Sequence, residues 1–194
     1  MAVNVGKEHA LLIVDVQNDF LPGGSLAVPH GDEVIPVLNR YIALAQSRGV
    51  PVFASRDWHP GNHCSFRAHG GPWPEHCVAG TPGAAFAPGL ELPRDAVIIS
   101  KAMREDSDAY SSFEGTDLAP RLRKLGVKHL LVGGLATDYC VLHTVRDALK
   151  SGFEVLLLQD AIRAVNVQSG DGERAERQMA QAGAVAIRIE DGLT

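Results

Sequence analysis

Leu130-Leu131-Val132-Gly133-Gly134-Leu135-Ala136-Thr137-Asp138-Tyr139-Cys140-Val141-Leu142-His143 is the stretch whose reading decides the fold. Its first half is a short apolar run, the pattern of a strand buried on both faces of a parallel sheet. The paired glycines break that run. Thr137 or Asp138 then offers an N-cap, and Leu142, Val145, Ala148 and Leu149 recur on one helical face. Cys140 therefore falls in the first turn of a helix, just past the carboxyl end of a strand. Free N–H groups and the positive end of the helix dipole point there, a setting that favours thiolate and can hold an oxyanion. The competing reading is a small thiol packed in the core.

The same alternation extends both ways along the chain. Ala10-Leu11-Leu12-Ile13-Val14-Asp15-Val16 reads as a central parallel strand with Asp15 at its carboxyl end. A helix is predicted from Gly31 to about Arg48, with Val34, Val37, Leu38, Tyr41, Ile42 and Ala45 as its stripe and Gly49 closing it. Further strands are predicted over 50–55, 96–101, 128–134, 153–160 and 184–189, and further helices over 117–125, 138–151 and 170–182. This is a three-layer α/β sandwich around a mostly parallel, six-stranded, Rossmann-like sheet, in one domain over 1–194. Ligands of such sheets bind outside the carboxyl ends of the strands. Asp15, Asp57, Lys101 and Cys140 all lie at or just past such ends, and that convergence favours Cys140 as a nucleophile over Cys140 as packing.

Composition narrows the setting. A formal charge of −5 with no basic run argues against nucleic acid as a partner. No apolar run approaches the roughly 20 residues of a membrane helix, so no membrane partner is expected. Three cysteines without a C-x-x-C pair point to a reducing compartment. With a polar start from Met1 to His9 that does not read as a signal peptide, the expectation is a cytoplasmic protein.

Two side-chain sets carry chemistry. A cysteine that cleaves an amide needs a proton acceptor, charge stabilisation and oxyanion donors. Asp15 can exchange the proton, Lys101 can pair with Asp15 or with sulfur, and backbone N–H groups around Ala136 and Cys140 are the oxyanion donors. The second set lies in a long Gly- and Pro-rich segment, 57–96, that carries four of the eight histidines. A segment so long and irregular within a compact chain is commonly functional. Asp57-Trp58-His59 sets two metal-ligand types two residues apart in extended chain. His76 can close the site, and His63 is a fourth ligand or a neighbour. Oxygen plus imidazole suits zinc first, with iron or manganese as alternatives. A closed structural zinc site using Cys64 and Cys77 is the other reading of the cluster.

Taken together, Asp15-Val16-Gln17-Asn18-Asp19-Phe20, Ser55-Arg56-Asp57-Trp58-His59-Pro60, Trp73-Pro74-Glu75-His76-Cys77-Val78, Lys101, Tyr110-Ser111-Ser112-Phe113-Glu114-Gly115-Thr116 and Gly134-Leu135-Ala136-Thr137-Asp138-Tyr139-Cys140-Val141 resemble the nicotinamidase/pyrazinamidase family of the isochorismatase-like cysteine hydrolase superfamily. The resemblance runs in order from about Ala10 to Ile189. It implies hydrolysis of nicotinamide, and of pyrazinamide, to the acid and ammonia through a cysteine thioester, in NAD salvage. Another small amide or carbamoyl substrate is the alternative within the superfamily. It also implies a triad of Asp15, Lys101 and Cys140, and one divalent metal ion on Asp57, His59 and His76, with His63 close by. Phe20, Trp73, Tyr110 and Leu135 would form the ring pocket. A cis peptide between Leu135 and Ala136 and a possible homo-oligomer complete the expectation. The charged span Arg104 to Asp108 has no place in the pattern.

Overall fold

The computed structural model describes residues 4–191. Six strands, β1 (His9–Val14), β2 (Val52–Asp57), β3 (Val97–Lys101), β4 (His129–Leu135), β5 (Glu154–Arg163) and β6 (Val185–Ile187), form one sheet in the order β3-β2-β1-β4-β5-β6. Every pairing is parallel. Side chains alternate across a strand, so β1 feeds two cores. Leu11 and Ile13 join one, with Val34, Leu38, Tyr41, Ile42 and Ala45 of helix α1 (Val34–Ser47). Ala10, Leu12 and Val14 join the other, against helices α2 (Leu118–Lys124), α3 (Leu142–Lys150) and α4 (Asp171–Gln181). Each Leu, Ile or Val so buried contributes roughly 1.5–3 kcal/mol by leaving water. The central strands are apolar on both sides because both sides are covered.

The strand order reverses between β1 and β4, which opens a crevice at their carboxyl ends. Close approach of these two strands requires glycine at 134. Its φ is +124°, and a Cβ there would sit 2.1 Å from the Val14 carbonyl oxygen. The glycines therefore do not end the strand, as the sequence suggested; β4 continues to Leu135. Pairing with β5 shifts register between Val132 and Gly134, and β5 runs on to Arg163, three residues past its expected end.

The helix after β4 also departs from expectation. Its first turn, Thr137–Val141, is a π-type turn, and the α-helix begins only at Leu142. Neither Thr137 nor Asp138 caps it through its side chain. The Asp138 carboxylate instead accepts the Val165 and Asn166 N–H groups at 2.9 and 2.8 Å, which draws the loop after β5 towards the crevice.

The segment from Trp58 to Ala96 contains only short 3-10 turns and isolated bridges, as expected of an irregular loop. Buried polar groups hold it. Gln17 Nε2 donates to the carbonyls of Asp57 and Ala84 at 2.8 and 2.9 Å, and Gln17 Oε1 accepts the Asp57 N–H at 2.8 Å. Asp19 Oδ2 accepts the Cys77 N–H at 2.7 Å. A carboxylate and an amide at the start of the chain thus fix a loop 40 to 67 residues away.

At the opposite end of the sheet, His9 and His129 stack with ring centroids 4.7 Å apart. Burial and the neighbouring His129 lower the His9 pKa below 6.5. The folded state therefore binds fewer protons than the unfolded chain as pH falls below about 6.5, so His9 lowers stability there. His9→Gln is expected to flatten the fall in Tm between pH about 7 and 5. Thermal unfolding at a series of pH values checks this, and an unchanged slope contradicts it.

Candidate active site and metal-ligand cluster

Asp15 follows β1 with φ +49°, and its carboxylate is wholly buried. Oδ1 accepts the Ser55 hydroxyl at 2.6 Å, and Oδ2 lies 3.0 Å from Lys101 Nζ. Lys101 ends β3 with its side chain out of solvent. Its ammonium also donates to Asp57 Oδ1 at 2.5 Å and to the Ala109 carbonyl at 3.0 Å, and stands 3.5 Å from Cys140 Sγ. One carboxylate oxygen each of Asp15 and Asp57 and the sulfur of Cys140 lie within 4.8 Å of one another. The three residues read as a triad are thus brought together, with Asp57 as a fourth member.

The charges decide the protonation states. Burial pushes the Asp15 carboxyl up, against the pull of Lys101. Asp57 is buried too, but Lys101 and His59 outweigh burial and hold it well below the usual carboxylate range. Burial works against the Lys101 ammonium, yet the two carboxylates keep it firmly protonated. For Cys140, burial and the two carboxylates outweigh Lys101 and push the thiol up. This corrects the expectation that the helix start favours thiolate. One buried ammonium already faces two carboxylates, and a third negative charge has no partner. Sulfur must lose its proton as it reacts.

Beside the triad, Asp57, His59 and His76 offer ligand atoms within 4.8 Å of one another, all buried. His59 Nδ1 faces the Ala102 carbonyl at 3.2 Å and His76 Nδ1 the Pro74 carbonyl at 2.8 Å. Donating through Nδ1 leaves each Nε2 a lone pair, the usual arrangement behind a metal-bound imidazole. His59 Nε2 is buried with no hydrogen-bond partner, 3.7 Å from Asp57 Oδ2. An orphaned buried nitrogen beside a carboxylate and a second imidazole fits a divalent cation.

His63 is not in this cluster. Its ring packs 4.1 Å from that of His59, with Nε2 on the Ser107 carbonyl at 3.2 Å and Nδ1 accepting the Ser65 N–H at 3.2 Å. Both nitrogens are engaged, so it buttresses His59. Cys64 and Cys77 belong to no metal-capable group among the described residues, against the structural-zinc reading. The span Arg104 to Asp108 is a turn closed by an exposed Arg104–Asp106 ion pair. Its Glu105 carbonyl accepts the Cys64 N–H, and its Ser107 carbonyl meets His63, so it braces the histidine loop from outside.

A small cavity opens above Cys140, lined by aromatic and aliphatic side chains with a few convergent polar groups, the make-up of a small-molecule site. Phe20, Trp73 and Tyr110 line it, and Asp57 and His76 of the candidate ligand cluster border it. Ala136 and Cys140 also face it, past the cis bond between Leu135 and Ala136. Leu135 does not. It is fully buried, with its side chain in the core on the α1 side, where Gly31 leaves room for it. In its place Tyr139, Leu26, Val28 and Val165 complete the wall. Tyr139 was legible as the neighbour of the nucleophile; the three aliphatic residues carry no signal that separates them from core.

A family model described as the isochorismatase domain matches residues 9–191. The nicotinamidase of Escherichia coli (strain K12) is 42% identical over 204 residues, covering 94% of this chain and 96% of that protein. The crystal structure of a pyrazinamidase of Pyrococcus horikoshii in complex with zinc superposes with a TM-score of 0.90 at 53% identity, covering 94% of this chain and 99% of that one. The structure of PnC1 from L. infantum in complex with nicotinate gives 0.90 at 37% identity, covering 100% and 99%.

Proposed function

This chain belongs to the isochorismatase domain family, and we infer that it hydrolyses the carboxamide of nicotinamide to nicotinate and ammonia, in NAD salvage. The observation that carries this reading is a thiol facing an aromatic pocket, backed by a buried carboxylate and a buried ammonium, next to two imidazoles with free lone pairs. The flat ring lies against Phe20, Trp73 and Tyr110, with Tyr139 and the aliphatic wall excluding water. Asp57, His59 and His76 would hold one divalent ion, zinc by analogy with the pyrazinamidase complex. When bound, it would supply a Lewis acid beside the pocket, able to anchor a ring nitrogen.

The chain's own groups do the rest. Asp15 takes the proton of Cys140 as sulfur attacks the carboxamide carbon. Negative charge gathers on the carbonyl oxygen, against the N–H groups of Ala136 and Cys140. Asp15 passes its proton to the nitrogen, the C–N bond breaks, and ammonia leaves a thioester. Asp15, again a carboxylate, takes a proton from water as its oxygen attacks the thioester carbon. The C–S bond breaks, the proton returns to sulfur, and nicotinic acid departs and releases its own proton to water as nicotinate. Lys101 stays charged throughout and compensates each negative charge in turn. Free thiols at Cys64, Cys77 and Cys140 suit a reducing cytoplasm.

Ammonia release from nicotinamide, with metal analysis of the same sample, tests this reading. Turnover of carbamoyl compounds but not of nicotinamide overturns it. His59→Ala is expected to remove bound metal and raise KM at least about tenfold together, because ring anchoring and ion share that imidazole. Metal retained with KM unchanged contradicts the ligand assignment.

A further inference from the structure

Three buried hydroxyls outside the triad form a chain that ends on Asp15. Thr144 lies on α3, four residues past Cys140; Ser112 lies in the loop before α2; Ser55 lies in β2. None is exposed. Ser55 Oγ donates to Asp15 Oδ1 at 2.6 Å, Ser112 Oγ meets Ser55 Oγ at 2.9 Å, and Thr144 Oγ1 meets Ser112 Oγ at 3.1 Å. Thr144 Oγ1 in turn accepts the Ser112 N–H at 2.9 Å.

The direction of the chain follows from counting protons. A hydroxyl has one hydrogen to give. Ser55 gives its hydrogen to the carboxylate, so it can only accept from Ser112. Ser112 has then spent its own, so Thr144 must donate to Ser112. The backbone N–H of Ser112 closes the chain by donating to Thr144. Every dipole points at Asp15 Oδ1, and aligned bonds in a dry interior strengthen one another.

The two oxygens of Asp15 are therefore unlike. Oδ1 already accepts a hydrogen that cannot turn away without orphaning a buried hydroxyl. Oδ2 faces Lys101, which reaches on to the sulfur. We propose that Thr144, Ser112 and Ser55 form a one-way hydroxyl relay that keeps Asp15 Oδ1 a permanent acceptor, so that Asp15 carries the catalytic proton on Oδ2 alone. The relay also ties the base to the helix that bears the nucleophile. All three are positioning residues, and the proposal rests on Asp15 being the base.

The discriminating pair is at Thr144. Thr144→Val keeps the volume and loses the hydroxyl, whereas Thr144→Ser keeps the hydroxyl and loses a methyl. With nicotinamide as substrate, Thr144→Val is expected to lower kcat about tenfold with KM changed less than about twofold, and Thr144→Ser to stay within about twofold of the parent. Ser55→Ala, which strips a bond to a charged group, is expected to lower kcat about 100-fold. Because the hydroxyls act in series, Ser55→Ala with Thr144→Val is expected to match Ser55→Ala alone. The rate at which iodoacetamide alkylates Cys140, followed by mass spectrometry of its peptide, reads proton transfer to Asp15 without any amide substrate. It is expected to fall several-fold in Thr144→Val and to be spared in Thr144→Ser. A parent protein that releases no ammonia refutes the nicotinamide reading, and the alkylation comparison still decides the relay. Thr144→Val at parental kcat and alkylation rate, Thr144→Ser as impaired as Thr144→Val, or multiplicative losses in the double variant each overturn it.

Discussion

Cys140→Ala is expected to lower kcat for nicotinamide at least about 10⁴-fold, the scale on which triad nucleophiles are lost. Nothing at the site can replace the sulfur. Cys77 is buried, with a thiol that burial pushes far up, and it faces Asp19 through its N–H. The Cys64 N–H is held by the Glu105 carbonyl on the outer side of the histidine loop. Removing one sulfur that touches a cavity leaves packing nearly intact, so Tm is expected to stay within a few degrees of the parent. Nicotinate binding by calorimetry should persist, since the ring pocket and metal ligands are unchanged. Ammonia release, Tm and nicotinate affinity together make the check. More than about one per cent residual turnover, set against the losses known for such nucleophiles, would remove Cys140 from the reaction.

Lys101→Met is expected to be nearly as damaging to catalysis and far worse for folding. Lys101 bridges the buried carboxylates of Asp15 and Asp57, at 3.0 and 2.5 Å. A methionine fills the space and leaves the buried Asp15 carboxylate without its cation, beside Asp57. Breaking a buried ion pair on one side costs about 3–5 kcal/mol. For a chain of this size that is a fall in Tm of roughly 6–20 °C. The loss should depend on pH with a defined sign. Without the ammonium, the Asp15 carboxyl, already pushed up by burial, has a folded pKa still further above its unfolded one. The unfolded chain then binds fewer protons, so the variant loses stability as pH rises and recovers part of it as pH falls towards about 4. Thermal unfolding of parent and variant between pH 4 and 8 measures it, with the two curves expected to converge at the acid end. Parallel curves would mean that Lys101 does not neutralise this pair. Lys101→Arg is not a substitute, since the planar fork needs more room than a site already filled by two carboxylates and the Ala109 carbonyl.

The acid-base reading follows from these charges. A thiol pushed up by burial and a carboxyl pushed up by the same burial are matched partners. The proton moves between them only when substrate gives the new charge on sulfur somewhere to go. An idle thiolate would be exposed to oxidation; a protonated resting thiol is not.

Much of this was legible in the chain alone. Apolar runs at 10–14, 52–54 and 130–132 place the central strands, because a strand covered on both faces tolerates nothing else. Reactive residues at the ends of those runs, Asp15, Asp57, Lys101 and Cys140, declare the rim at which ligands bind. The Asp57-x-His59 spacing and His76 mark the candidate ligand set. These signals are local in sequence: a run, a residue at its end, a spacing of two.

The tertiary structure decided what depends on contacts between distant segments. Gly134 continues its strand because Val14 crowds it, and no local pattern records that neighbour. Leu135 turns into the core and Tyr139 into the pocket because β4 runs one residue past the glycines into a π-type turn. His63 spends both nitrogens on Ser65 and Ser107, 44 residues apart in the second case, and so is withdrawn from the metal set. The thiol is held up, not down, because the fold buries it and because two carboxylates already share the one ammonium beside it. Serine and threonine at 55, 112 and 144 look like any others in the sequence. Only burial, which removes water as a partner, commits each hydroxyl hydrogen to one acceptor and turns three ordinary residues into a directed chain on Asp15.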